Sequence, residues 1–500
     1  MQTFNLSDYL LQYLDKNTAM PRNRQLYRLM RQAILDRVLP VDTRLPSSRD
    51  VAKELGLSRN TVLYAYEQLL AEGYVETRAG SGTYVADTVP DSVELPSGLI
   101  QAPRASVQLS RRGHELLAQA SASARQWGAF VPGVPDVTQF PYKIWNSLQN
   151  KIWRKPPIAA LTYGQGGGYH PLREAVADYL KVSRSVDCDA SQVVITNGIH
   201  QSIDLCLRLL SDPGDLAWVE DPCYWGARNL LKASGVNIHP VKLDAEGICP
   251  NADDLAAVPR FIFVTPSHQY PLGMVMSLAR RRSLLNYAQR HECWIMEDDY
   301  DSEFRYGGRP LASLQGMDSG ERVLYMGTFS KTMFPGLRLG YLVLPKALSQ
   351  PFITGMEELH RSGQTALHAT MAEFMTQGHF NSHIRRMRLL YGSRLELLQQ
   401  QIARHFDADQ VYALGSDAGL HLTLRLPANC NDQLVAQAAQ DKGIAVRALS
   451  SYYHAPAQAT SGLVLGYACV DNKQIAPAFD LLAEVIKAHL SAGLAGDKTG

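Results

Sequence analysis

Apolar residues near the start of the chain recur at helical spacing. In residues 23–39 they return every three or four positions, which predicts an amphipathic helix. Its apolar face consists of Leu26, Leu29, Met30, Ala33, Ile34 and Val38.

Two further short helices are predicted between residues 47 and 73. Residues 47–50, Ser-Ser-Arg-Asp, have the form of a capping box, which marks a helix start. A turn at residues 56–58 follows, in which Ser58 can cap the second helix, and Gly73 can end that helix. Two helices around a three-residue turn are typical of a helix-turn-helix. The next stretch, YVETRAGSGTYV, predicts a two-stranded hairpin, or wing.

The second helix keeps several polar side chains off its buried stripe, where they could reach bases or phosphates in a major groove. These residues are Arg59, Asn60, Thr61 and Tyr64. Residues 21–60 contain nine Lys/Arg against four Asp/Glu, a balance of about +5, whereas the whole chain carries only +1. Helix-turn-helix spacing also occurs in helical bundles, so spacing alone leaves DNA binding and simple packing both open.

The pattern changes after residue 87. Residues 88–126 are punctuated by Pro, Ser and Ala, which predicts an interdomain linker. From residue 127 short apolar runs alternate with amphipathic segments, which predicts an α/β layered domain. Most of these runs are continuous, as expected for strands buried on both faces. They lie at 192–198, 216–226, 260–273, 293–301, 323–331 and 339–345.

Composition narrows the class of protein. A hydrophobic fraction of 46% fits a large buried core, and 500 residues favour two or three domains. The seven cysteines form no C-x-x-C pair, so we expect neither a disulfide framework nor a structural metal site, and a reducing cytoplasm fits them better. No apolar run is long enough to span a membrane, so we expect no membrane partner.

Polar residues cluster just after the predicted strands. Open α/β sheets bind ligands at the carboxyl ends of their strands, so one crevice should collect these side chains, His268 among them. The set suits pyridoxal phosphate. Lys331 can form a Schiff base with its aldehyde, and Asp298 can keep its pyridine nitrogen protonated. Tyr300 can lie near its ring oxygen, and Tyr224 can stack on its ring.

The phosphate of that cofactor would need backbone N–H groups, hydroxyls and a guanidinium. Residues 198–200, Gly198-Ile199-His200, offer a helix N-terminus. Thr328, Ser330 and Arg338 lie close to Lys331 in the sequence. Each signal has an alternative, since a lysine after a strand is often solvated and the acidic run at 297–301 could instead bind Mg²⁺.

The quoted motifs resemble known families. RLPSSRDVAKELGLSRNTVLYAYEQLLAEGYVETRAGSGTYV resembles the GntR-type winged helix over residues 20–87, which implies that Arg49, Arg59, Thr61 and Gly82 touch DNA. Residues 127–490 resemble fold-type-I aminotransferases, with ITNGIHQSIDL, EDDYDSEFRY and GTFSKTMFPGLRLGY among the matching stretches. The whole chain looks like a MocR-type regulator. That family implies a homodimer in which Tyr163 reaches the phosphate in the partner subunit's site.

Two departures from the aminotransferase pattern bear on the ligand. The usual Asn-Pro-x-Gly is replaced by residues 270–273, Tyr-Pro-Leu-Gly. The carboxylate-binding arginine of a late strand is missing, because no arginine follows Arg447. Arg228, Arg425 or Arg447 could substitute for it.

The sequence therefore predicts a transcription regulator of operator DNA. It would sense an amine, an amino acid or pyridoxal phosphate itself through an aldimine at Lys331. A working aminotransferase that carries a DNA-binding domain is the alternative. A third possibility is a DNA-binding scaffold whose cofactor fold no longer functions.

Overall fold

The computed structural model describes residues 6–15, 18, 20–87, 109–118, 127–164, 166–307, 311–361, 363–415, 417–455 and 459–496. The chain divides into two compact units, residues 1–108 and 109–500. In the part of the chain that the structure describes, no helix has the length and apolar character needed to cross a bilayer.

The amino-terminal unit is a winged helix, as predicted. Ser47 and Ser58 cap α3 and α4 by accepting hydrogen bonds from the backbone N–H groups of Asp50 and Thr61. The two wing strands pair antiparallel, with Val75 opposite Val85. The first helix, α1, was not predicted from the sequence. The elements are α1 (Leu6–Tyr13), α2 (Arg22–Leu35), α3 (Ser48–Leu55), α4 (Arg59–Ala71), β1 (Val75–Arg78) and β2 (Gly82–Val85).

The second unit is built on an eight-stranded sheet. Its order is β3-β10-β9-β8-β7-β4-β5-β6, in which β9, β8, β7, β4 and β5 run parallel and β10 lies antiparallel between β3 and β9. The strands are β3 (Val193–Thr196), β4 (Leu216–Asp221), β5 (Asn237–Asp244), β6 (Gly247–Ile248), β7 (Phe261–Val264), β8 (Trp294–Asp299), β9 (Val323–Thr328) and β10 (Gly340–Val343). Each of the six predicted apolar runs contains one of these strands.

A smaller antiparallel sheet lies in the carboxyl-terminal part of this unit, with the order β11-β12-β14-β13. Its strands are β11 (Tyr412–Leu414), β12 (His421–Arg425), β13 (Arg447–Ala448) and β14 (Gly462–Gly466). The segment before the main sheet reaches this sheet, since the N–H of Gly466 donates to the carbonyl of Phe130. This contact ties the start of the unit to its end.

Helices surround both sheets. They are α5 (Arg111–Ala118), α6 (Tyr142–Arg154), α7 (His170–Arg184), α8 (Ile199–Leu210), α9 (Trp225–Ala233), α10 (Leu278–His291), α11 (Lys346–His360), α12 (Thr365–Thr376), α13 (His379–His405), α14 (Asp432–Asp441) and α15 (Asn472–Gly496). α5 falls within the stretch that we predict as a linker, and it contacts α9. The rest of that stretch, residues 88–108 and 119–126, lies outside the described residues.

Candidate functional site

A cavity of about 290 Å³ lies where β8 and β9 end and α8 begins. This is the position that the strand-end argument predicts for a ligand. Ten of the predicted cofactor-binding residues line it. They are Gly198, Ile199, His200, Tyr224, Asp298, Tyr300, Thr328, Ser330, Lys331 and Arg338.

Lys331 follows β9, and its side chain ends inside the protein. Its Nζ donates a hydrogen bond of 2.7 Å to the carbonyl oxygen of Gly133. Burial lowers the pKa of this amine, although the carboxylates of Asp301 and Asp298 oppose that shift. A lowered pKa makes the neutral, nucleophilic form of the amine more accessible at neutral pH.

Asp298 lies on β8 and is almost completely buried. Burial and the neighbouring Asp299 carboxylate raise the pKa of its carboxyl group to about 8, although the charge of Lys331 opposes this shift. Its Oδ1 atom has no hydrogen-bond partner among the described residues. A buried polar atom without a partner is costly, and a protonated ring nitrogen in the cavity would satisfy it. This atom therefore fits the pyridine end of pyridoxal phosphate.

The start of α8 fits the phosphate end. Gly198 has a φ of 100°, which favours glycine, and no side chain caps the helix. A Cβ atom added at Gly198 would lie 3.8 Å from the guanidinium of Arg338, so the helix start and this cation face the same space. Free N–H groups at a helix N-terminus beside an arginine form an anion site. Thr328 and Ser330 add two hydroxyls, and the Thr328 hydroxyl accepts from the N–H of Ser330 at 3.1 Å.

Aromatic rings form another part of the wall. The Tyr224 hydroxyl lies 2.7 Å from Nε2 of His200. Burial lowers the pKa of His200, and the charges of Arg338 and Lys331 lower it further. His200 is therefore neutral beside Tyr224, and the positive charge in this part of the cavity comes from Arg338 and Lys331.

Two predicted cofactor residues do not line the cavity. His268 lies behind Tyr300, whose hydroxyl is 3.0 Å from its Nδ1 atom. Tyr163 is 77% exposed, and its ring lies 5.4 Å from the Arg361 guanidinium. An exposed Tyr163 is compatible with a role in a partner subunit's site, and that role stays a prediction.

Further residues line the cavity that were not predicted from the sequence to contact a cofactor or ligand. The loop at residues 132–134 carries no polar motif, and Tyr270 was noted only as a departure from the aminotransferase pattern. The added residues are Pro132, Gly133, Val134, Trp225, Tyr270 and Pro335. The replacement of Asn by Tyr270 was the one available signal.

The three arginines named as substitutes for the missing late arginine differ in position. Arg447 lines the cavity, whereas Arg228 donates to the backbone carbonyls of Tyr452 and Tyr453. Arg425 lies on β12 and does not line the cavity. The pKa of Arg447 is raised, because interactions with Tyr452 and Tyr270 outweigh its burial.

The predicted DNA contacts lie on α3, α4 and the wing. Arg49, Arg59 and Asn60 are exposed, and Gly82 is exposed in the wing. Thr61 and Tyr64 are half-buried, and the Thr61 hydroxyl lies 2.8 Å from that of Ser58. Four of the six residues are thus exposed, whereas Thr61 also contacts the capping residue Ser58 at the start of α4.

Comparisons with known proteins agree with this geometry. The family of aminotransferases of class I and II matches residues 159–482, and bacterial regulatory proteins of the gntR family match residues 22–85. The probable rhizopine catabolism regulatory protein MocR of Rhizobium meliloti is 39% identical over 482 residues, which cover 96% of this chain and 97% of that protein. The chain belongs to the MocR-type regulators.

Other relatives have the same span. The HTH-type pyridoxine biosynthesis transcriptional regulator PdxR of Corynebacterium glutamicum is 29% identical over 90% of this chain and 92% of its own length. A crystal structure of kynurenine aminotransferase from Pyrococcus horikoshii in complex with PMP covers 77% of this chain and 96% of that chain, with a TM-score of 0.67 and 25% identity. This MocR-type regulator therefore joins a DNA-binding winged helix to a pyridoxal phosphate domain of the aminotransferase fold.

Proposed function

We propose that this regulator senses an amino acid or a related carboxylated amine in the cavity around Lys331, and that its winged helix binds operator DNA in response. The observation that carries the proposal is that a reactive amine, Lys331, and a second guanidinium besides that of Arg338, Arg447, line the same cavity. An α-amino acid has the two groups that such a pair can bind.

The cofactor supplies an aldehyde carbon that forms a reversible double bond to the nitrogen of an amine. Lys331 would provide the amine for this bond while no effector is present. Because burial lowers the pKa of Lys331, the displaced lysine does not need to stay charged inside the protein. The same neutral amine can accept a proton from the effector's nitrogen.

Asp298 and the α8 end fix the orientation of the cofactor. Asp298 would hold the ring nitrogen through its unpartnered Oδ1 atom, and this pairing would favour the ionised carboxylate that burial otherwise disfavours. The residues that would hold the phosphate group are Arg338, the N-terminal residues of α8, Thr328 and Ser330. Tyr224 would contact the ring.

Arg447 determines which amines are effective. A guanidinium can form a bidentate pair with a carboxylate. The guanidinium of Arg447 lines the cavity together with the aromatic side chains of Tyr224 and Tyr270, and it can pair with the carboxylate of an effector. The proposal gives Arg447 the part of the late arginine that aminotransferases carry and this chain lacks, and the support for it is that Arg447, on β13, lines the cavity.

We further propose a homodimer. Large apolar side chains are exposed along one stretch of sequence around α6, and exposed apolar surface of this kind marks protein contacts. The exposed fractions are 48% at Tyr142, 81% at Ile158, 63% at Leu161 and 77% at Tyr163. A dimer would present two winged helices, so an operator with two half-sites is expected.

The test is the visible absorption of the purified full-length protein with pyridoxal phosphate during titration with amines and amino acids. An absorption band that shifts with amino acids and then holds would support sensing. A band that is lost and then restored by a keto acid over many cycles would mean that the protein is an aminotransferase. A protein that shows no band with added pyridoxal phosphate would exclude the proposal.

A further inference from the structure

His268 lies behind the cavity wall, in contact with Tyr300. The Tyr300 hydroxyl is 3.0 Å from Nδ1 of His268 and 3.0 Å from the backbone carbonyl oxygen of the same residue. Only the Tyr300 side chain of this pair lines the cavity. Any influence of His268 on a ligand would therefore act through Tyr300.

Asp301 determines the tautomer of His268. Its two carboxylate oxygens lie 3.1 and 3.2 Å from Nδ1 of His268, and both residues are almost completely buried. A carboxylate can only accept, so Nδ1 carries the hydrogen. Asp301 is itself held by the N–H of Leu420, which donates to its Oδ2 atom at 3.2 Å. The Nδ1–H group therefore faces both Asp301 and the oxygen of Tyr300.

Gly419 allows this pair to form. Its φ is +83°, and a Cβ atom added there would lie 2.0 Å from Cε1 of His268 and 2.6 Å from Oδ2 of Asp301. The backbone before β12 thus packs directly on both side chains and holds them rigidly. A rigid, buried pair behind one wall residue is the arrangement expected of groups that position that residue.

We propose that Asp301 and His268 form a positioning pair, which acts through the Tyr300 hydroxyl to stabilise negative charge on the ring oxygen of the bound cofactor. The inference rests on the proposed function of the cavity. The Nδ1–H of His268 donates to the Tyr300 oxygen, which makes the Tyr300 O–H a stronger donor. With a ligand in the cavity, that O–H turns from the His268 carbonyl to the ring oxygen.

The direction of the effect follows from charge. Donation by Tyr300 withdraws negative charge from the ring oxygen, so the proton on the nitrogen joining Lys331 to the cofactor leaves at a lower pH. Loss of His268 weakens the donation, and the pH midpoint of the visible absorption change should rise. Other titratable groups lie near Tyr300 or near Asp301 and His268, and none of these groups is substituted in the test. They are Glu220, Tyr270, Asp298, Lys331 and His421.

The experiment measures that midpoint in the full-length protein loaded with pyridoxal phosphate. His268→Phe should raise it by about 0.5 to 1 pH unit, the equivalent of one hydrogen bond. Tyr300→Phe should raise it further. In the double variant His268→Phe should add nothing to Tyr300→Phe, because a group that acts through Tyr300 has no effect without that hydroxyl.

Controls separate this role from simple packing. His368 is a buried histidine that does not line the cavity, and His368→Phe should leave the midpoint unchanged. Asp301→Asn keeps the shape and should raise the midpoint by less than His268→Phe, so it serves if the latter does not fold. A midpoint that is unshifted in both His268→Phe and Asp301→Asn would overturn the inference. A shift caused by His268→Phe that is equally large with and without the Tyr300 hydroxyl would overturn it as well. A wild-type protein without the absorption band would instead overturn the proposed function.

Discussion

The Nζ atom of Lys331 donates a hydrogen bond of 2.7 Å to the carbonyl oxygen of Gly133. Lys331 follows a strand of the main sheet, whereas Gly133 belongs to the segment that precedes α6. The reactive amine is therefore held by backbone from the start of the unit. Gly133 has a φ of +70°, and an added Cβ atom would lie 3.1 Å from Nζ.

Lys331→Ala should abolish the visible absorption band and the response of DNA binding to amino acids. Binding to DNA in the absence of effector should persist, because Lys331 lies in the other unit from the winged helix. Anisotropy of labelled operator DNA, with and without effector, measures both. Lys346→Ala, at an exposed lysine, is the matched control. An effector response that survives in Lys331→Ala would exclude sensing through this lysine.

Gly133→Ala tests the contact with the lysine. The methyl group would crowd Nζ, and a non-glycine residue at this φ costs about 1 kcal/mol or more. We expect pyridoxal phosphate to bind about tenfold more weakly, measured by quenching of intrinsic fluorescence. Gly336→Ala is the control, since its nearest neighbour would lie 3.8 Å away. Equal affinities in the two variants would show that the Gly133 position is tolerant.

Arg447→Ala should weaken the response to amino acids by about ten- to a hundredfold, the range for a charged hydrogen-bonding partner. The response to amines without a carboxylate should change little. Arg425→Ala removes a guanidinium that lies outside the cavity and should leave both responses unchanged. If both classes of amine weaken together, Arg447 supports the cavity and does not select the carboxylate.

The sequence predicted those features of the fold and of the cavity that depend on the local pattern of apolar and polar residues. The six apolar runs contain strands because each is buried on both faces, and the polar residues that follow them meet in one cavity. β5 was missed because it lies near the sheet edge, and only Val241 of its eight residues is fully buried. A strand without a continuous apolar run has no such signal.

Long-range contacts explain what the sequence did not predict in the site. Gly133 contacts Lys331, and Arg447 lines the cavity, because the fold brings together segments that are far apart in the sequence. No sequence motif links these segments. His268 was predicted as a cofactor-binding residue but lies behind Tyr300, where Gly419 packs closely on it. The domain boundaries and the assigned residue roles stay predictions.

Asp298→Asn should make the cofactor-free protein more stable above neutral pH. The pKa of Asp298 is raised to about 8, so between its ordinary value near 4 and pH 8 the folded protein binds a proton that the unfolded chain has released. Stability is therefore lost as the pH rises through this window. The amide removes that loss, and the melting temperature at pH 8 should rise by about 2 °C or more. Asp409→Asn, at an exposed position, is the control.

The same Asp298→Asn variant should bind pyridoxal phosphate more weakly, since a neutral amide cannot hold the proton on the ring nitrogen. A gain in stability with a loss of cofactor binding would mark Asp298 as a residue kept for function. A variant that is less stable than the wild type at pH 8 would contradict the raised pKa.

Arg59→Ala and Arg49→Ala should each weaken DNA binding. Both guanidiniums are exposed on the helix-turn-helix. Affinity for DNA falls as salt rises, and loss of one phosphate contact reduces the magnitude of the slope of log affinity against log salt by about 0.9. The measurement is anisotropy over a salt series, with DNA obtained by selection on the wild-type protein. Arg24→Ala removes an exposed arginine of α2 and should leave the slope unchanged. Equal slopes in all variants would move the DNA surface elsewhere.

Tyr163→Phe and Lys331→Ala chains, combined in one heterodimer, should restore one complete cofactor site. If Tyr163 serves the partner subunit's site, the Tyr163→Phe chain keeps its own Lys331 and receives the intact tyrosine of the other chain. If Tyr163 serves its own chain, both sites stay defective. Tagged chains purified as heterodimers are titrated with pyridoxal phosphate, and the cofactor affinity of the site that shows the visible band is compared with that of the wild type and of the Tyr163→Phe homodimer. The wild-type affinity is expected, and the affinity of the Tyr163→Phe homodimer would contradict the exchange. Leu161→Asp should prevent it by producing monomers, because Leu161 belongs to the exposed apolar stretch.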